Sequence, residues 1–489
     1  MPIASLPSKE GIGTLGEEAY RFIDFLAESR AKIWQILPLN PTNFGDSPYQ
    51  SCCSNALNYY FIDLEKLVEG NLLTREEVDT TDLGKDERRV NYGLQFYNKI
   101  ALLRKAFSRF DRKNADFKKF VDSGEFDDFS AFMSLKCKFD HKAWVEWDEP
   151  YRTFDAKTIE KFVRDNRGEY EFWQFTQFIF FLQWNALKGY AHQKGISIMG
   201  DIPLYLAYDS VEVWKYGNML FKVDEKRRPE CVAGVPPDMF SADGQLWGNP
   251  VYDWARMRED GYKWWNKRIA DCLNLFDILR VDHFRGFDRY YEIPAGATTA
   301  RNGIWADGPK EELFNDKLDL NIVAEDLGVV DDGILRLMKN TGYPGMKILE
   351  FAFDGSPDNE HKPSKITENF VCYTGTHDNM PLRQHIEDLP QNEFEEFIRD
   401  LRRECKYFGM EPDERSAKTI CLSIVSLAFR SAADTVIIPM WDLLAMGGEA
   451  RINFPSTISE NNWSWRFVNG DFKKQTSTYL KRISKQTSR

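Results

Sequence analysis

An apolar run ends in Phe276-Asp277-Ile278-Leu279-Arg280-Val281-Asp282-His283-Phe284-Arg285-Gly286, which delivers a carboxylate flanked by two arginines and a histidine. Successive strand side chains alternate between faces. Ile278, Arg280 and Asp282 therefore share one face, with Leu279 and Val281 on the other. An arginine beside a carboxylate favours the ionised form and lowers its pKa, which suits Asp282 to act as a nucleophile or an electrostatic stabiliser. A structural ion pair at a strand end is the competing reading of the same residues.

Two further carboxylates stand in the same setting. Asn321-Ile322-Val323-Ala324-Glu325-Asp326-Leu327-Gly328 is a short apolar strand running into Glu325, and Phe370-Val371-Cys372-Tyr373-Thr374-Gly375-Thr376-His377-Asp378-Asn379 is another ending in His377 and Asp378. The chain has six histidines, and two of them, His283 and His377, sit directly beside these carboxylates. Repetition of one arrangement at three strand ends favours chemistry over isolated ion pairs.

The elements that must position these groups are legible as apolar runs ending in polar residues. Eight occur: Ile3–Ser5, Ile33–Pro38, Ile196–Asp201, the runs ending at Asp282 and at Glu325, Met346–Phe353, Phe370–Thr374 and Val436–Pro439. Helix-like segments precede several of them, at 16–28, 264–275 and 332–339, and such alternation specifies a parallel sheet. Eight units most simply close into a (β/α)8 barrel, an α/β fold whose catalytic groups stand at the C-terminal strand ends. The whole of 1–489 then forms one catalytic domain with two insertions. Residues 65–195 read as helices with apolar residues at helical period, including a buried helix over 172–184. Residues 211–258 are dense in Gly and Pro and read as a long ordered loop acting as a lid.

Composition narrows the partners. The 489 residues are 43% hydrophobic and 29% charged, with no apolar run of eighteen residues, so no membrane span is expected. The start, Met1-Pro2-Ile3-Ala4-Ser5-Leu6-Pro7, lacks a signal-peptide pattern, and a cytoplasmic protein is expected. The net charge of −12, without a basic stripe beyond Lys226-Arg227-Arg228, argues against nucleic acid. Eight irregularly spaced cysteines give no C-x-x-C pair, so reduced thiols are expected and neither a metal nor a cofactor is called for. Aromatics reach 14%; aromatic faces suit sugars, although core packing accounts for most of them.

Taken in order, Ser5-Leu6-Pro7-Ser8, Gly11-Ile12-Gly13, Ser47-Pro48-Tyr49-Gln50, Gly200-Asp201-Ile202-Pro203, Pro236-Pro237-Asp238, Trp247-Gly248-Asn249-Pro250 and Asn462-Trp463-Ser464-Trp465-Arg466 resemble one family across nearly the whole chain. It is the amylomaltases, or disproportionating enzymes, the 4-alpha-glucanotransferases of glycoside hydrolase family 77. The resemblance implies a barrel with inserted subdomains, no separate C-terminal β-domain, and transfer of α-1,4-glucan segments between maltooligosaccharides. It also implies Asp282 as nucleophile, Glu325 as acid/base and Asp378 as third carboxylate. Arg280, His283 and His377 match neighbours that bind the reacting sugar or hold these carboxylates. Tyr49 and Asp201 match the donor side, and the loop from Pro236 through Asp238 to Gln245, with Trp247 and Asn249 beyond it, matches glucan-contacting positions. Family members carry residues before the first Ser-Leu-Pro motif, so a first strand starting at Met1 is expected to be incomplete. Trp441 and the Phe454-Pro455-Ser456 turn also depart from the family pattern.

Retaining glycosidic chemistry asks one carboxylate to attack the anomeric carbon and another group to protonate the leaving oxygen. Asp282 fits the first task. Glu325 fits the second, with a pKa raised by burial and neighbouring negative charge. An amylase-type α-glucan hydrolase would share all three carboxylates, and a silent glycan-binding barrel would share the fold.

Overall fold

The computed structural model describes residues 1–43, 45–237, 241–328 and 330–489. Its strands are β1 (Ile33–Gln35), β2 (Ser197–Ile202), β3 (Cys231–Val235), β4 (Gln245–Pro250), β5 (Ile278–Val281), β6 (Arg289–Pro294), β7 (Ile304–Asp307), β8 (Ile322–Ala324), β9 (Gly345–Ile348), β10 (Phe370–Tyr373) and β11 (Thr435–Ile437). Two sheets are parallel, in the orders β1-β2-β5-β8 and β9-β10-β11. Helices connect most of these strands, as Lys263–Leu275 does before β5 and Asp332–Thr341 before β9. The fold is therefore α/β with parallel pairing, as the alternation of runs predicts.

These strands are short and apolar because both of their faces are covered. Met199, Val323, Met346, Ile348, Val371 and Tyr373 form one buried cluster, with Ile33, Ile278 and Ile437 packed against it. It draws on β1, β2, β5, β8, β9, β10 and β11 alike. The Tyr373 hydroxyl donates to Gln35 Oε1 at 2.9 Å, and Ala324 N–H donates to the Pro344 carbonyl at 2.9 Å between the two sheets.

Two expectations need correction. Ile3–Ser5 is a turn rather than a strand, with Ser5 N–H bonded to the Pro2 carbonyl and Leu6 N–H to the Ile3 carbonyl. Met1 does reach β1, its amino group donating to the Gln35 carbonyl at 3.2 Å. The stretch 211–258 is not all loop: β3 and β4 pair antiparallel within it, and β6 and β7 complete a four-stranded sheet ordered β4-β3-β6-β7. Its Gly and Pro density masks strands whose partners lie far downstream.

Residues 64–193 run through helices, ending in the 27-residue helix Arg167–Gln193. Trp173, Phe175, Phe180 and Trp184 of that helix are wholly buried in the main core, so its aromatics pack rather than bind. Lys99 and Glu10 meet in the interior at 2.8 Å and tie this helical stretch to the first turn of the chain. All eight cysteines are free. Among the described residues no helix is long and apolar enough to cross a membrane.

Candidate active site

The carboxylates reach one place because their strands are neighbours in register. Asp201 stands opposite Arg280 across β2 and β5, and Val281 stands opposite Ala324 across β5 and β8. Asp282 and Glu325 are each the next residue along. Arg280 is buried between the carboxylates: Nη1 donates to both Asp201 oxygens at 2.8 and 2.7 Å, and Nη2 to Asp282 Oδ1 at 3.2 Å. The shared face of Arg280 and Asp282 is thus as expected from strand alternation.

Glu325 is held by backbone. His283 N–H donates to Oε2 at 2.7 Å and Leu327 N–H to Oε1 at 2.9 Å, leaving one lone pair on each oxygen for the cleft. His283 adopts φ 47°, the left-handed turn that swings the chain out of β5. Its ring meets Trp247 edge-on at 5.0 Å. Gly286 must lack a side chain here, since a Cβ would stand 2.3 Å from Leu204 Cδ2 and 3.1 Å from His283 Cδ2.

Charge states follow from burial and neighbours. Burial pushes Asp282 up to about 6, Arg280 opposes without prevailing, and Asp201 adds to the rise. The expectation that Arg280 lowers Asp282 overall is therefore corrected: taking the carboxylate out of water outweighs one contact at 3.2 Å. Glu325 is pushed to about 7, by burial first and, against Arg280, by the nearby Asp282. The pair titrates together, with Glu325 the last to ionise. His283 falls to about 4, from burial and then Arg285, so its ring is neutral.

The third carboxylate is treated differently. Burial lowers His377 and raises Asp378, but their contact at 3.3 Å outweighs it in both: His377 moves up and Asp378 down to about 2. Asn453 Nδ2 donates to Asp378 Oδ1 at 2.6 Å. Tyr49 stacks on His377 at 4.8 Å and donates to Asp201 Oδ2 at 2.6 Å, joining the two groups of charges.

Asp282, Glu325 and Asp378 open into one cleft of about 920 Å³. Tyr49, Gln245, Trp247, Asn249, Asp282, His283, Glu325, His377 and Asp378 line it, as do Tyr205 and Trp463. The profile of the 4-alpha-glucanotransferase family matches residues 1–470. This chain belongs to that family. It is 42% identical to the 4-alpha-glucanotransferase of Clostridium butyricum, covering 99% of each chain, and 40% identical to that of Aquifex aeolicus, covering 98% of this chain and 96% of the relative. The solved amylomaltase of Streptococcus agalactiae in complex with acarbose superposes with a TM-score of 0.94 at 37% identity, over 100% of this chain and 98% of that one. The amylomaltase of Corynebacterium glutamicum, at 18% identity, shares the fold with a TM-score of 0.77 over 99% of this chain and 74% of that one.

Not every residue expected of a 4-alpha-glucanotransferase site faces the cleft. Asp201 and Arg280 lie beneath its floor at 3% and 4% exposure, Arg280 reaching Asp282 from there. Asn249 reaches the lining, but its amide is already paired with Gln50 and with the Leu206 carbonyl. Pro236 does not line the cleft, its carbonyl carbon lying against the back of Gly244. Asp238 lies outside the described residues. Asn453 and Tyr205 carry no motif and were not legible in the sequence; Trp463 was within reach, inside the Asn462-Trp463-Ser464-Trp465 run.

Proposed function

We propose that the protein transfers α-1,4-glucan segments from a donor maltooligosaccharide to the 4-hydroxyl of an acceptor sugar, by retaining double displacement. The observation that carries this reading is the placement of Asp282 and Glu325 at adjacent ends of β5 and β8, facing one cleft in unlike surroundings. Asp282, with its arginine, is mostly ionised at neutral pH and attacks the anomeric carbon. The glycosidic C–O bond breaks as Glu325 gives its proton to the leaving 4-oxygen. In the second half, the acceptor hydroxyl returns a proton to Glu325 and attacks the same carbon, freeing Asp282. Asp378, kept ionised by His377 and oriented by Asn453, accepts hydrogen bonds from hydroxyls beside the reacting carbon. Trp247, Tyr205 and Trp463 give the cleft apolar walls on which sugar faces rest in place of water, which favours a sugar acceptor.

The scaffold is read as a (β/α)8 barrel. In support, one interior cluster draws on all seven parallel strands, and Tyr373 crosses it to Gln35. Residues 65–195 and 211–258 are its insertions, the second carrying β3 and β4 over the cleft as a wall. The cytoplasm suits eight free thiols.

Maltotriose as sole substrate tests the reaction. Glucose and a ladder of longer maltooligosaccharides are expected, without added metal or nucleotide. Glucose and maltose alone, with reducing ends rising in step, would mean hydrolysis instead.

A further inference from the structure

Beneath the turn that carries His377 and Asp378 lie two carboxylates that the reaction does not use. Glu350 follows β9 and Asp442 follows β11; Asp442 holds the turn at both ends and Glu350 holds it at Asn379 in between. Thr374 Oγ1 donates to Asp442 Oδ2 at 2.6 Å and Leu382 N–H to Oδ1 at 2.8 Å. Asn379 Nδ2 donates to Glu350 Oε1 at 3.0 Å. Asn379 Oδ1 then accepts from both Thr376 N–H and Thr376 Oγ1, at 2.9 and 2.8 Å, and Thr376 Oγ1 accepts from Asp378 N–H at 3.3 Å. One chain of hydrogen bonds thus runs from Glu350 through Asn379 and Thr376 to the backbone of Asp378.

The other Glu350 oxygen, Oε2, is buried with no hydrogen-bond partner among the described residues. A charged carboxylate oxygen there costs far more than a neutral carboxyl does. The two carboxylates also converge: a Cβ on Gly375 would stand 3.5 Å from Glu350 Oε2 and 3.6 Å from Asp442 Oδ2. Like charges facing each other across a glycine cannot both ionise cheaply.

We infer that Glu350 is a positioning residue for Asp378, an uncharged carboxyl that anchors the Thr374–Asn379 turn through Asn379; this deepens the reading of Asp378 proposed above and rests on it. The charged groups that face Glu350 are Asp442, whose carboxylate acts in the same direction as burial, and Arg451, which opposes them. Burial leads, and Glu350 titrates at about 8. Asp442, also raised by burial but held by Thr374 and Leu382, titrates at about 6 and is the ionised member at neutral pH. Above pH 8 both are charged, and their mutual repulsion and the burial of a second charge push Glu350 off the turn, against the stronger hydrogen bond that the ionised oxygen would accept from Asn379.

The test compares Glu350→Ala, Glu350→Gln and Asp378→Asn with the wild type, using an α-glucosyl fluoride donor so that no proton from Glu325 is needed for the first bond cleavage. Glu350→Ala should lower kcat roughly tenfold or more with little change in KM, the pattern of a group that matters in the transition state. Glu350→Gln keeps the acceptor for Asn379 and cannot ionise, so it should recover most of that loss. Its activity should persist above pH 8, where the wild type falls. Should the alanine variant not fold, the glutamine profile alone decides. A wild-type rate in Glu350→Ala beside an inactive Asp378→Asn overturns the positioning role. So does a Glu350→Gln profile that falls with the wild type, or a wild type that does not fall. Full turnover by Asp378→Asn would instead remove the reading of Asp378 itself, and the positioning role with it.

Discussion

The floor of the cleft and its His377 side hold carboxylates within one hydrogen-bonded network, yet their charges are set in opposite ways. On the floor, Asp201, Arg280, Asp282 and Glu325 share one cation among three acids, and burial drives Asp282 and Glu325 upward. On the other side, Asp378 has a histidine of its own and an amide from Asn453, and half of its side chain stays open to the cleft. It goes down. A strand end therefore does not define what a carboxylate can do; the ratio of charges around it does. The proposed mechanism uses both settings: the floor to move a proton, and the His377 side to keep a fixed negative charge.

The largest effect that would break this comparison is catalytic. Asp282→Asn should show no turnover with any donor, because no glycosyl-enzyme can form. Glu325→Gln should lose about 10²–10⁴-fold on maltotriose but far less on an α-glucosyl fluoride, whose leaving group needs little protonation. In that variant sugar should accumulate on Asp282, found by peptide mapping, and azide should release it. Equal loss on the fluoride in both variants would erase the division between them.

The next effect is on stability. Arg280 is 4% exposed and both Asp201 oxygens accept from its Nη1, so Asp201→Ala leaves the buried guanidinium only its longer contact to Asp282 and should cost about 3 kcal/mol in denaturant unfolding. His377→Ala removes a contact to a half-exposed carboxylate and should cost less than about 1 kcal/mol after solvent screening. Similar losses would mean that the two regions are held alike.

The smallest effect is in pH dependence, where the two regions should respond with opposite sign. The proposed mechanism needs Asp282 ionised and Glu325 protonated, so kcat/KM should rise through about pH 6 and fall through about 7, as macroscopic values of the pair. Both folded values lie above the unfolded ones of 3.8 and 4.5. Their stabilising contribution is therefore full at low pH and lost as pH rises through about 6 to 7. Asp378 is depressed to about 2 from 3.8, so its contribution is present above the unfolded value and lost only as pH falls through about 2. Thermal melts of the ligand-free protein should thus decline between about pH 4 and 7, and decline less in Glu325→Gln. A flat Tm across that range would contradict the raised floor pair.

Much of this site was legible in one dimension. The runs ending at Asp282, Glu325 and Asp378 are local patterns: an apolar strand needs its hydrophobic residues in sequence, and a charge at its end must leave the core. The parallel α/β class follows from the same runs and their helices, and the ordered Pro, Gly and Trp motifs point to the family whose profile matches residues 1–470. Ile3–Ser5 has the composition of a strand but no ladder, because pairing depends on neighbours that composition does not contain. The antiparallel sheet was hidden for the related reason that β3 and β4 meet β6 and β7 only after the intervening chain, β5 included, has folded back. Asn453, Glu350 and Asp442 carry no motif, and only the approach of the chain after β9 and β11 brings them under Asp378. The tertiary structure alone decided the sign of the Asp282 shift. The sequence shows Arg280 beside that carboxylate but not the exclusion of water around it, and there the loss of hydration outweighs the attraction of the arginine.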